Sequence, residues 1–354
     1  MRSIAKLMKD WQFTGPDGVT AAVVLPHTWN AVDGQDGGND YWRGTCTYRT
    51  SFAAPAFDPA QQQVWLQFEG VNASATVLLN GQKICAHDGG YSTFRAEITE
   101  LLRAENQLTV QVDNSVNDRV YPQKADFTFY GGIYRDVSLL VVNKNHIALG
   151  HFGDTGVKIT PDLKEGSADI QVETLVEGGG TVVVELLDAA GSTVAKGEGE
   201  NASLHLDAPH LWNGVKDPYL YTCVVRLMQN GKPVDEVTTK VGLRSFSVDA
   251  KKGFFLNGKP YPLHGVSRHQ DRKGLGNAIT REMHDEDMAL IRELGANTVR
   301  LAHYQHDQYF YDLCDKYGMV VWAEIPYISE HLPNGRENTI SQMKELIYQN
   351  YNHP

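Results

Sequence analysis

The most informative sequence in this chain lies in its C-terminal third, at residues 280–323, and reads TREMHDEDMALIRELGANTVRLAHYQHDQYFYDLCDKYGMVVWA. Its pattern predicts one helix from Thr280 to about Leu294 and a second helix that begins at Asp307. Two short apolar runs follow these helices, Asn297 to Ala302 and Met319 to Ala323, and suit buried parallel strands. Alternation of helices with buried strands predicts a parallel α/β domain.

The ends of the two helices carry the residue types that favour helix termini. Thr280 and Asp307 stand at the start, where a side-chain oxygen can accept a hydrogen bond from a free backbone N–H. Gly295 and Gly318 stand at the end, where glycine tolerates the left-handed backbone that closes a helix. The second helix also has apolar residues at i, i+3, i+4 and i+7, which predicts one buried face: Phe310, Leu313, Cys314 and Tyr317.

The α/β segment begins near residue 248 and is too short for a closed barrel. A hairpin turn at Asn257-Gly258, a strand at Tyr261 to Val266 and a further helix at Asn338 to Tyr351 complete its predicted elements. About three strand–helix units are therefore present, whereas a closed (β/α)8 barrel needs roughly 250 residues. We predict that residues 248–354 form the start of an incomplete (β/α)8 TIM barrel.

Two β-rich regions precede this segment. In residues 1–145, apolar residues alternate with others at Val64 to Phe68, and Asn80-Gly81 marks a tight hairpin, so we predict a β-sandwich of jelly-roll type. In residues 146–247, short strands such as Thr181 to Leu187 recur without cysteine bridging. That pattern predicts an immunoglobulin-like β-sandwich, and the whole chain is then multidomain.

Composition and charge limit the classes of function. The chain has 354 residues and a formal net charge of −11, which argues against nucleic acid and against an anionic membrane surface as partners. We find no stretch typical of a signal peptide or a bilayer span. The four cysteines form no CxxC pair, so reduced thiols are expected. These features predict a cytoplasmic protein, and they leave a homo-oligomer open.

Polar residues follow the predicted barrel strands, where chemistry gathers in such barrels. There the sequence has His269, Arg300 with His303, and Glu324, a set that can hydrogen-bond a hydroxylated ligand. Each also has a structural interpretation: Arg300 as a salt-bridge partner inside the barrel, the histidines as buried rings, Glu324 as a structural carboxylate. A metal hydrolase that uses His303, His306 and Glu324 is a further interpretation, although their spacing matches no specific template.

At these residues the sequence resembles glycoside hydrolase family 2, the β-galactosidase and β-glucuronidase family. The resemblance covers essentially the whole chain and follows the same order of domains. It departs from the family at Gln305, where a proline is usual. The segments that carry the resemblance are Leu25–Trp29, Tyr41–Gly44, Asp126–Val137, His264–His269, Asn297–Tyr304 and Asp312–Trp322.

The resemblance implies a retaining exo-glycosidase that acts on a terminal β-linked sugar with two glutamates, one as acid/base and one as nucleophile. In the family the acid/base follows an Asn-His-Pro sequence, and here Asn352-His353-Pro354 ends the chain. Both catalytic glutamates are therefore expected beyond Pro354, and no catalytic residue is assigned within the chain. We expect the 354-residue chain by itself to be inactive.

For the substrate pocket, the resemblance implies four residues and no cofactor. Asp126 would reach from a sugar-binding jelly roll to accept hydrogen bonds from sugar hydroxyls, His269 and His303 would bond further hydroxyls, and Arg300 would orient the neighbouring catalytic carboxylate. Magnesium-using members carry a Glu-x-His shortly after the third strand, and Ile328-Ser329-Glu330-His331 does not reproduce that spacing. No cofactor is therefore expected, and magnesium stays an open alternative.

Within the family we favour β-galactosidase, because Arg268-His269 resembles the galactosidase form whereas β-glucuronidases tend to have Lys-His. The expected partner is a β-galactoside or a related oligosaccharide. β-Glucuronidase or another family 2 β-glycosidase is the alternative. A non-catalytic carbohydrate-binding protein is a second alternative, because enzyme and binder share every feature of this sequence.

Overall fold

The computed structural model of the chain describes residues 1–34 and 41–354. Within these residues the first domain is almost entirely antiparallel β-structure, with one 3-10 turn at Thr99–Leu101. Its strands are β1 (Ser3–Lys6), β2 (Trp11–Thr14), β3 (Thr20–Val23), β4 (His27–Thr28), β5 (Thr45–Ala53), β6 (Gln62–Phe68), β7 (Val71–Asn72), β8 (Ser74–Leu79), β9 (Gln82–Asp88), β10 (Phe94–Glu97), β11 (Glu105–Asp113), β12 (Gly132–Ile133) and β13 (Val137–Asn143).

The first domain is a sandwich of two main sheets. One has the strand order β3-β2-β5-β11-β8-β9, the other has the order β1-β13-β6-β10, and β4-β12-β7 form a small third sheet. Side chains along β5 and β11 alternate between exposed and buried positions, because successive residues of a strand point to opposite faces. The buried side chains of both sheets, Trp11, Tyr48, Leu66 and Val110 among them, form one hydrophobic cluster.

The second domain is a smaller sandwich. Its main sheets have the orders β15-β16-β20 and β19-β18-β21-β22, and β14 pairs with β17. Its core contains Ile159, Val172, Val184 and Leu227 from both sheets. The strands are β14 (His146–Ile147), β15 (Val157–Lys164), β16 (Ser167–Thr174), β17 (Val176–Glu177), β18 (Thr181–Leu187), β19 (Thr193–Glu198), β20 (Asn201–Asp207), β21 (Tyr221–Gln229) and β22 (Lys232–Val241), with a 3-10 turn at Gly214–Lys216.

The last segment begins with a small antiparallel sheet and continues with parallel strands. Strands β26, β27 and β28 form a parallel sheet, and α1 and α2 pack Met288, Ile291, Phe310 and Leu313 into its core. The fold class predicted from the sequence is confirmed, and the boundaries at 145 and 247 stay a prediction. The elements are β23 (Phe246–Asp249), β24 (Gly253–Leu256), β25 (Lys259–Pro260), β26 (Gly265–Arg268), α1 (Arg281–Glu293), β27 (Thr298–Leu301), α2 (Gln308–Tyr317), β28 (Val320–Ala323) and α3 (Arg336–Asn350).

The predicted turns and helix ends correspond closely to the structure. At the hairpin turn of Asn80-Gly81 both residues have positive φ, 53° and 84°, as a type I′ turn requires. Asp307 caps α2 by accepting a hydrogen bond from Tyr309 N, and Gly318 ends the helix in the left-handed conformation. Thr280 occupies the capping position of α1, but its side chain does not accept a backbone hydrogen bond.

Two details of the barrel segment differ from expectation. The first parallel strand begins at Gly265, whereas the apolar pattern predicts it from Tyr261. Trp322, expected within a buried strand, has 66% of its surface exposed, because the three-stranded sheet leaves that side of β28 uncovered. Periodicity identifies a strand, but the neighbours that bury it come from other parts of the fold.

Helix α3 buries its polar side against the first domain. Asn338 accepts a hydrogen bond from Tyr121 N at 3.1 Å, and the Glu345 carboxylate accepts from Ser92 Oγ at 2.5 Å and His87 Nε2 at 2.9 Å. Ile340, Met343 and Ile347, spaced along the same helix, are 41–50% exposed. The helix is therefore amphipathic in the opposite sense to a helix that packs on an apolar core.

The cysteine thiols and the helices of the described residues match two of the expectations drawn from the sequence. The four cysteines are unpaired thiols, three of them buried and Cys85 half-buried. None of the helices in the described residues combines the length and the apolar character of a bilayer span.

Candidate functional site

The residues that follow the three parallel strands meet at one edge of the sheet. Register pairs Arg268 of β26 with Leu301 of β27, and Leu301 with Ala323 of β28. The polar side chains lie at or just beyond these strand ends and therefore converge. We call this group the mouth cluster: His269, Arg300, His303 and Glu324.

Within the mouth cluster, Arg300 and His303 both bind the Glu324 carboxylate. Arg300 donates from Nε to Oε1 at 2.5 Å and from Nη2 to Oε2 at 3.2 Å, which makes a two-point ion pair. His303 Nδ1 lies 2.9 Å from Glu324 Oε2 and 3.1 Å from Arg300 Nη2. The shorter contact requires a proton on Nδ1, because a carboxylate only accepts hydrogen bonds.

These contacts keep Glu324 ionised. Partial burial raises the pKa of the Glu324 carboxyl, but hydrogen bonds from Arg300 and His303, together with their charges, outweigh burial and hold that pKa below its ordinary value. The Arg300 side chain is 45% exposed, whereas Glu324 and His303 are 17% and 16% exposed. The arginine therefore stays open to solvent and can exchange partners with a ligand.

A loop of the first domain completes the mouth. The Phe127 ring, between β11 and β12, lies 4.9 Å from the His269 ring and 5.8 Å from the His303 ring. Burial lowers the pKa of His269, and the carboxylates of Asp271 and Asp126 partly offset that effect. Residues 126 and 127 of the jelly roll thus stand beside the strand ends of the barrel segment.

Tyr304 supports His269 from the protein interior. Its hydroxyl lies 3.4 Å from His269 Nδ1 and accepts a hydrogen bond from Gln270 N at 3.2 Å. Its ring stacks on Tyr91 of the first domain with centroids 4.2 Å apart. Burial raises the pKa of Tyr304, so it stays a neutral phenol that can both donate and accept.

The four residues predicted for a substrate pocket lie together. The His269 and His303 rings are 5.2 Å apart, and Arg300 contacts His303. The Asp126 carboxylate is close enough to His269 to raise the pKa of its ring by electrostatic interaction. Their roles toward a sugar stay predictions. Sequence reasoning misses Phe127 and Tyr304, although each directly follows a predicted residue, and aromatic side chains next to polar site residues are a usable signal.

Arg268, on which the preference for β-galactosidase depends, does not reach the mouth. Its side chain is 5% exposed, it binds Asp287 Oδ2 at 2.7 Å, and its guanidinium lies 3.8 Å above the Phe310 ring. A strand directs successive side chains to opposite sides, so Arg268 points into the protein while His269 points to the mouth. Arg268 therefore makes no contact with a ligand in the mouth, and the Arg-His pair supports β-galactosidase through its resemblance alone.

His303, His306 and Glu324 do not form a metal site among the described residues. His306 is fully buried, with Nδ1 3.1 Å from Arg268 Nη1 and Nε2 3.1 Å from the carbonyl oxygen of Ala302. Both ring nitrogens are thus engaged away from Glu324. The arginine occupies the lone pair that a metal ion would need.

Two potential metal ligands follow the third strand. Glu330 and His331 are exposed, and His331 Nδ1 lies 3.2 Å from the Tyr327 hydroxyl. In the described part of the chain, the group with metal-ligand spacing consists of Asp312, Asp315 and His353, outside the mouth cluster. The expectation that the mouth holds no metal stays a prediction.

Comparison with known proteins gives matches along almost the whole chain. Residues 37–166 match the family model described as glycosyl hydrolase 2 galactose-binding domain-like, and residues 151–244 match glycosyl hydrolases family 2. Residues 247–354 match glycosyl hydrolases family 2, TIM barrel domain. The three models follow one another in the order that the structure shows.

Individual relatives agree with these models. A β-glucuronidase of Bacteroides fragilis is 39% identical over 98% of the chain and 54% of its own length. A β-galactosidase of Thermoanaerobacter pseudethanolicus is 31% identical over 83% of the chain and 41% of its own length. The solved structure of an FMN-binding β-glucuronidase from Faecalibacterium prausnitzii superposes with a TM-score of 0.97 at 43% identity, covering all of this chain and 57% of that one.

The chain spans about half the length of the curated relatives that it matches, 54% and 43% for two of them. The names of its relatives are divided between β-glucuronidase and β-galactosidase. What these names share is the family of enzymes that the three models describe. On these grounds the chain belongs to glycosyl hydrolase family 2.

Proposed function

We propose that the whole protein is a retaining exo-glycosidase that removes terminal β-glucuronic acid, and that this chain supplies one side of its sugar pocket. The observation that carries the proposal is the mouth cluster, in which two imidazoles and an arginine–carboxylate pair stand at barrel strand ends beside a jelly-roll carboxylate. A sugar offers mainly hydroxyl groups, so acceptors and donors of this kind are what recognise it.

The similarity of the relatives supports glucuronide over galactoside. Among the curated relatives, those named β-glucuronidase are 39% and 37% identical to the chain, against 31% for a β-galactosidase. Among the solved structures, a β-glucuronidase is 43% identical and a putative β-galactosidase is 40% identical. The opposing argument from Arg268 rests on resemblance alone, because that residue is buried and paired with Asp287. The order of preference suggested by the sequence is therefore reversed.

Each mouth residue has a role that follows from its contacts. His303 donates from Nδ1 to Glu324, which leaves Nε2 as the ring nitrogen available to a sugar hydroxyl. Asp126, exposed at the end of the jelly-roll loop, accepts further hydroxyls. Arg300 is half exposed and holds Glu324, so it can also orient a second carboxylate in the completed barrel.

The reaction itself requires two carboxylates and water. In a retaining mechanism one carboxyl protonates the leaving oxygen while the other attacks the anomeric carbon, and water then hydrolyses the glycosyl intermediate. The mouth cluster contributes by binding and orienting the sugar, because those interactions lower the barrier when they strengthen toward the transition state.

The test compares two substrates that share one aglycone. Whole protein is assayed with an aryl β-D-glucuronide and the matching aryl β-D-galactoside, and we expect kcat/KM to favour the glucuronide by about 100-fold or more, since a site built for one polar group rejects its analogue. His303→Ala is expected to lower kcat for the glucuronide. The matched control is His205→Ala, because that histidine is exposed on the second domain.

The outcomes separate the alternatives. Preference for the galactoside would establish a β-galactosidase and contradict the specificity proposed. Binding of either sugar without any release of aglycone, measured by calorimetry on the same whole protein, would establish a carbohydrate-binding protein and contradict the enzyme.

A further inference from the structure

A second group of charged residues lies beneath the mouth cluster, inside the barrel segment. Arg268 donates from Nε and Nη2 to Asp287 Oδ2 at 2.9 and 2.7 Å, from Nη1 to His306 Nδ1 at 3.1 Å, and from Nη2 to His284 Nδ1 at 3.1 Å. We call these four residues the buried cluster. The two histidines and the arginine are 0–6% exposed.

The arginine determines the protonation of both histidines. A guanidinium has donors and no acceptor, so each Nδ1 that faces it must be an acceptor, and each neutral ring then carries its proton on Nε2. Burial lowers the pKa of His284 to about 4 and, together with the charge of Arg268, holds the pKa of His306 well below its ordinary value. The hydrogen-bond geometry and the lowered pKa values both indicate that His284 and His306 are uncharged.

His306 transmits this arrangement to the mouth. Its Nε2–H donates to the carbonyl oxygen of Ala302 at 3.1 Å. Ala302 immediately precedes His303, whose Nδ1 must lie within hydrogen-bond distance of Glu324. An unbroken series of hydrogen bonds therefore runs from Asp287 on α1, through Arg268 and His306, to the backbone that carries His303.

We propose that Arg268 and His306 are positioning residues for the glycosidase site: Arg268 selects the Nε2–H tautomer of His306, and His306 holds the backbone that places His303 against Glu324. This inference rests on the proposed function, because Arg268 and His306 would support the site that carries out that function. A displacement of about 1 Å in a site can cost on the order of 100-fold in rate, so such support has a measurable effect.

Two substitutions at His306 separate hydrogen bonding from packing. The amide of His306→Gln can accept from Arg268 and donate to Ala302, whereas His306→Phe fills the space with neither group. In whole protein we expect His306→Phe to lower kcat for the aryl glucuronide by about 10- to 100-fold with KM changed less than about threefold, and His306→Gln to retain kcat within about threefold.

Substitution of Arg268 provides a second test of the positioning role. Arg268→Lys leaves one nitrogen to serve three partners, so we expect a loss of kcat similar to that of His306→Phe. The matched control is Arg272→Lys, because Arg272 also bonds Asp287, at 2.9 Å, but contacts neither histidine. That control is expected to retain kcat within about twofold.

A spectroscopic measurement tests the tautomer independently of turnover. Nitrogen-15 spectra of histidine-labelled protein are expected to show His306 neutral and protonated at Nε2 at pH 7, and to show a mixture of tautomers in Arg268→Lys. Protonation at Nδ1 in the unaltered protein, or equal kcat for His306→Phe and His306→Gln, would overturn the inference. If the unaltered protein hydrolyses neither glycoside, the proposed function fails, while the spectra still decide the tautomer.

Discussion

The mouth cluster and the buried cluster are built from the same kinds of side chain and differ in their surroundings. Each has an arginine bound to a carboxylate and histidines beside it. Arg300 is 45% exposed with one carboxylate partner, whereas Arg268 is 5% exposed with three partners. Burial rather than residue type therefore distinguishes a cluster that is accessible to a ligand from a cluster that stabilises the fold.

The difference has a simple electrostatic origin. Near solvent, charges are well hydrated and the loss of one partner costs little, so the half-exposed Arg300 can exchange one partner for another. In the interior an unpaired charge is expensive, so Arg268 keeps the partners that the fold provides. Four predictions test this contrast, beginning with the largest effect.

Removal of each arginine should separate the two clusters in stability. We expect Arg268→Met to lower the free energy of unfolding by about 2–5 kcal/mol, because it leaves the Nδ1 atoms of two buried histidines, His284 and His306, without a hydrogen-bond donor. Arg300→Met is expected to lower it by less than about 1 kcal/mol. Urea unfolding of the two variants measures the difference. Equal losses would mean that burial does not distinguish the clusters.

Removal of the Asp126 carboxylate should affect activity strongly and stability little. Asp126→Ala is expected to lower kcat/KM of the whole protein by about 10- to 150-fold, the effect of about 1.5–3 kcal/mol for a hydrogen bond to a charged group. Stability should change little, since Asp126 is exposed. Lys124→Ala, on the same loop and also exposed, serves as the control. Unchanged activity in Asp126→Ala would remove this loop from the substrate pocket.

The two clusters should also respond to acid in different pH ranges. The buried histidines have lowered pKa values, so the unfolded chain takes up protons below about 6.5 while the folded chain does not, and stability falls by roughly 1.4 kcal/mol per pH unit for each histidine. For His284 this loss ends near its folded pKa of about 4. Stability from Glu324, whose pKa is also lowered, is lost only below its unfolded value of 4.5.

Comparison of the unaltered protein with His306→Gln isolates this effect. The substitution should reduce the slope of stability against pH between about 6 and 5 by roughly one histidine equivalent. Other groups, including His353, whose pKa is raised beside Asp315, titrate equally in both proteins. Identical slopes would show that His306 is not held neutral in the folded state.

The effect of salt concentration on stability should differ least between the two clusters. Arg300→Gln is expected to cost less than about 1 kcal/mol at 0.1 M NaCl and less again at 1 M, since the Arg300 side chain is 45% exposed and exposed charges are screened beyond about 3 Å at that ionic strength. The cost of Arg268→Gln, at a side chain that is 5% exposed, should change much less with salt. Unfolding midpoints at both concentrations measure the four values, and equal sensitivity to salt would contradict the assignment of Arg300 to solvent.

Much of the fold can be predicted because its signals are local. Asn80-Gly81 specifies a turn through its own backbone preferences, and Asp307 and Gly318 mark the ends of α2. The mouth residues are predictable for the same reason, since parallel strands bring their C-terminal ends to one edge. Arg300 and His303 are therefore located by the order of elements alone.

What cannot be predicted depends on contacts between distant residues. The buried partners of Arg268 come from α1 and from the segment after β27, and no local pattern indicates that it points inward. Gln305, where the resemblance implies a proline, makes a side-chain contact that only the fold reveals: its amide donates to Gln349 Oε1 of α3 at 2.8 Å.

The polar side of α3 limits how this architecture can be recombined. Glu345 lies buried against His87 and Ser92 of the first domain, so a chimera that joins this barrel segment to a foreign jelly roll would leave a buried carboxyl group without its hydrogen-bond partners. Exchange of the jelly roll and the barrel segment together preserves that contact. In recombination of this scaffold, the jelly roll and the barrel segment are therefore best exchanged as one unit.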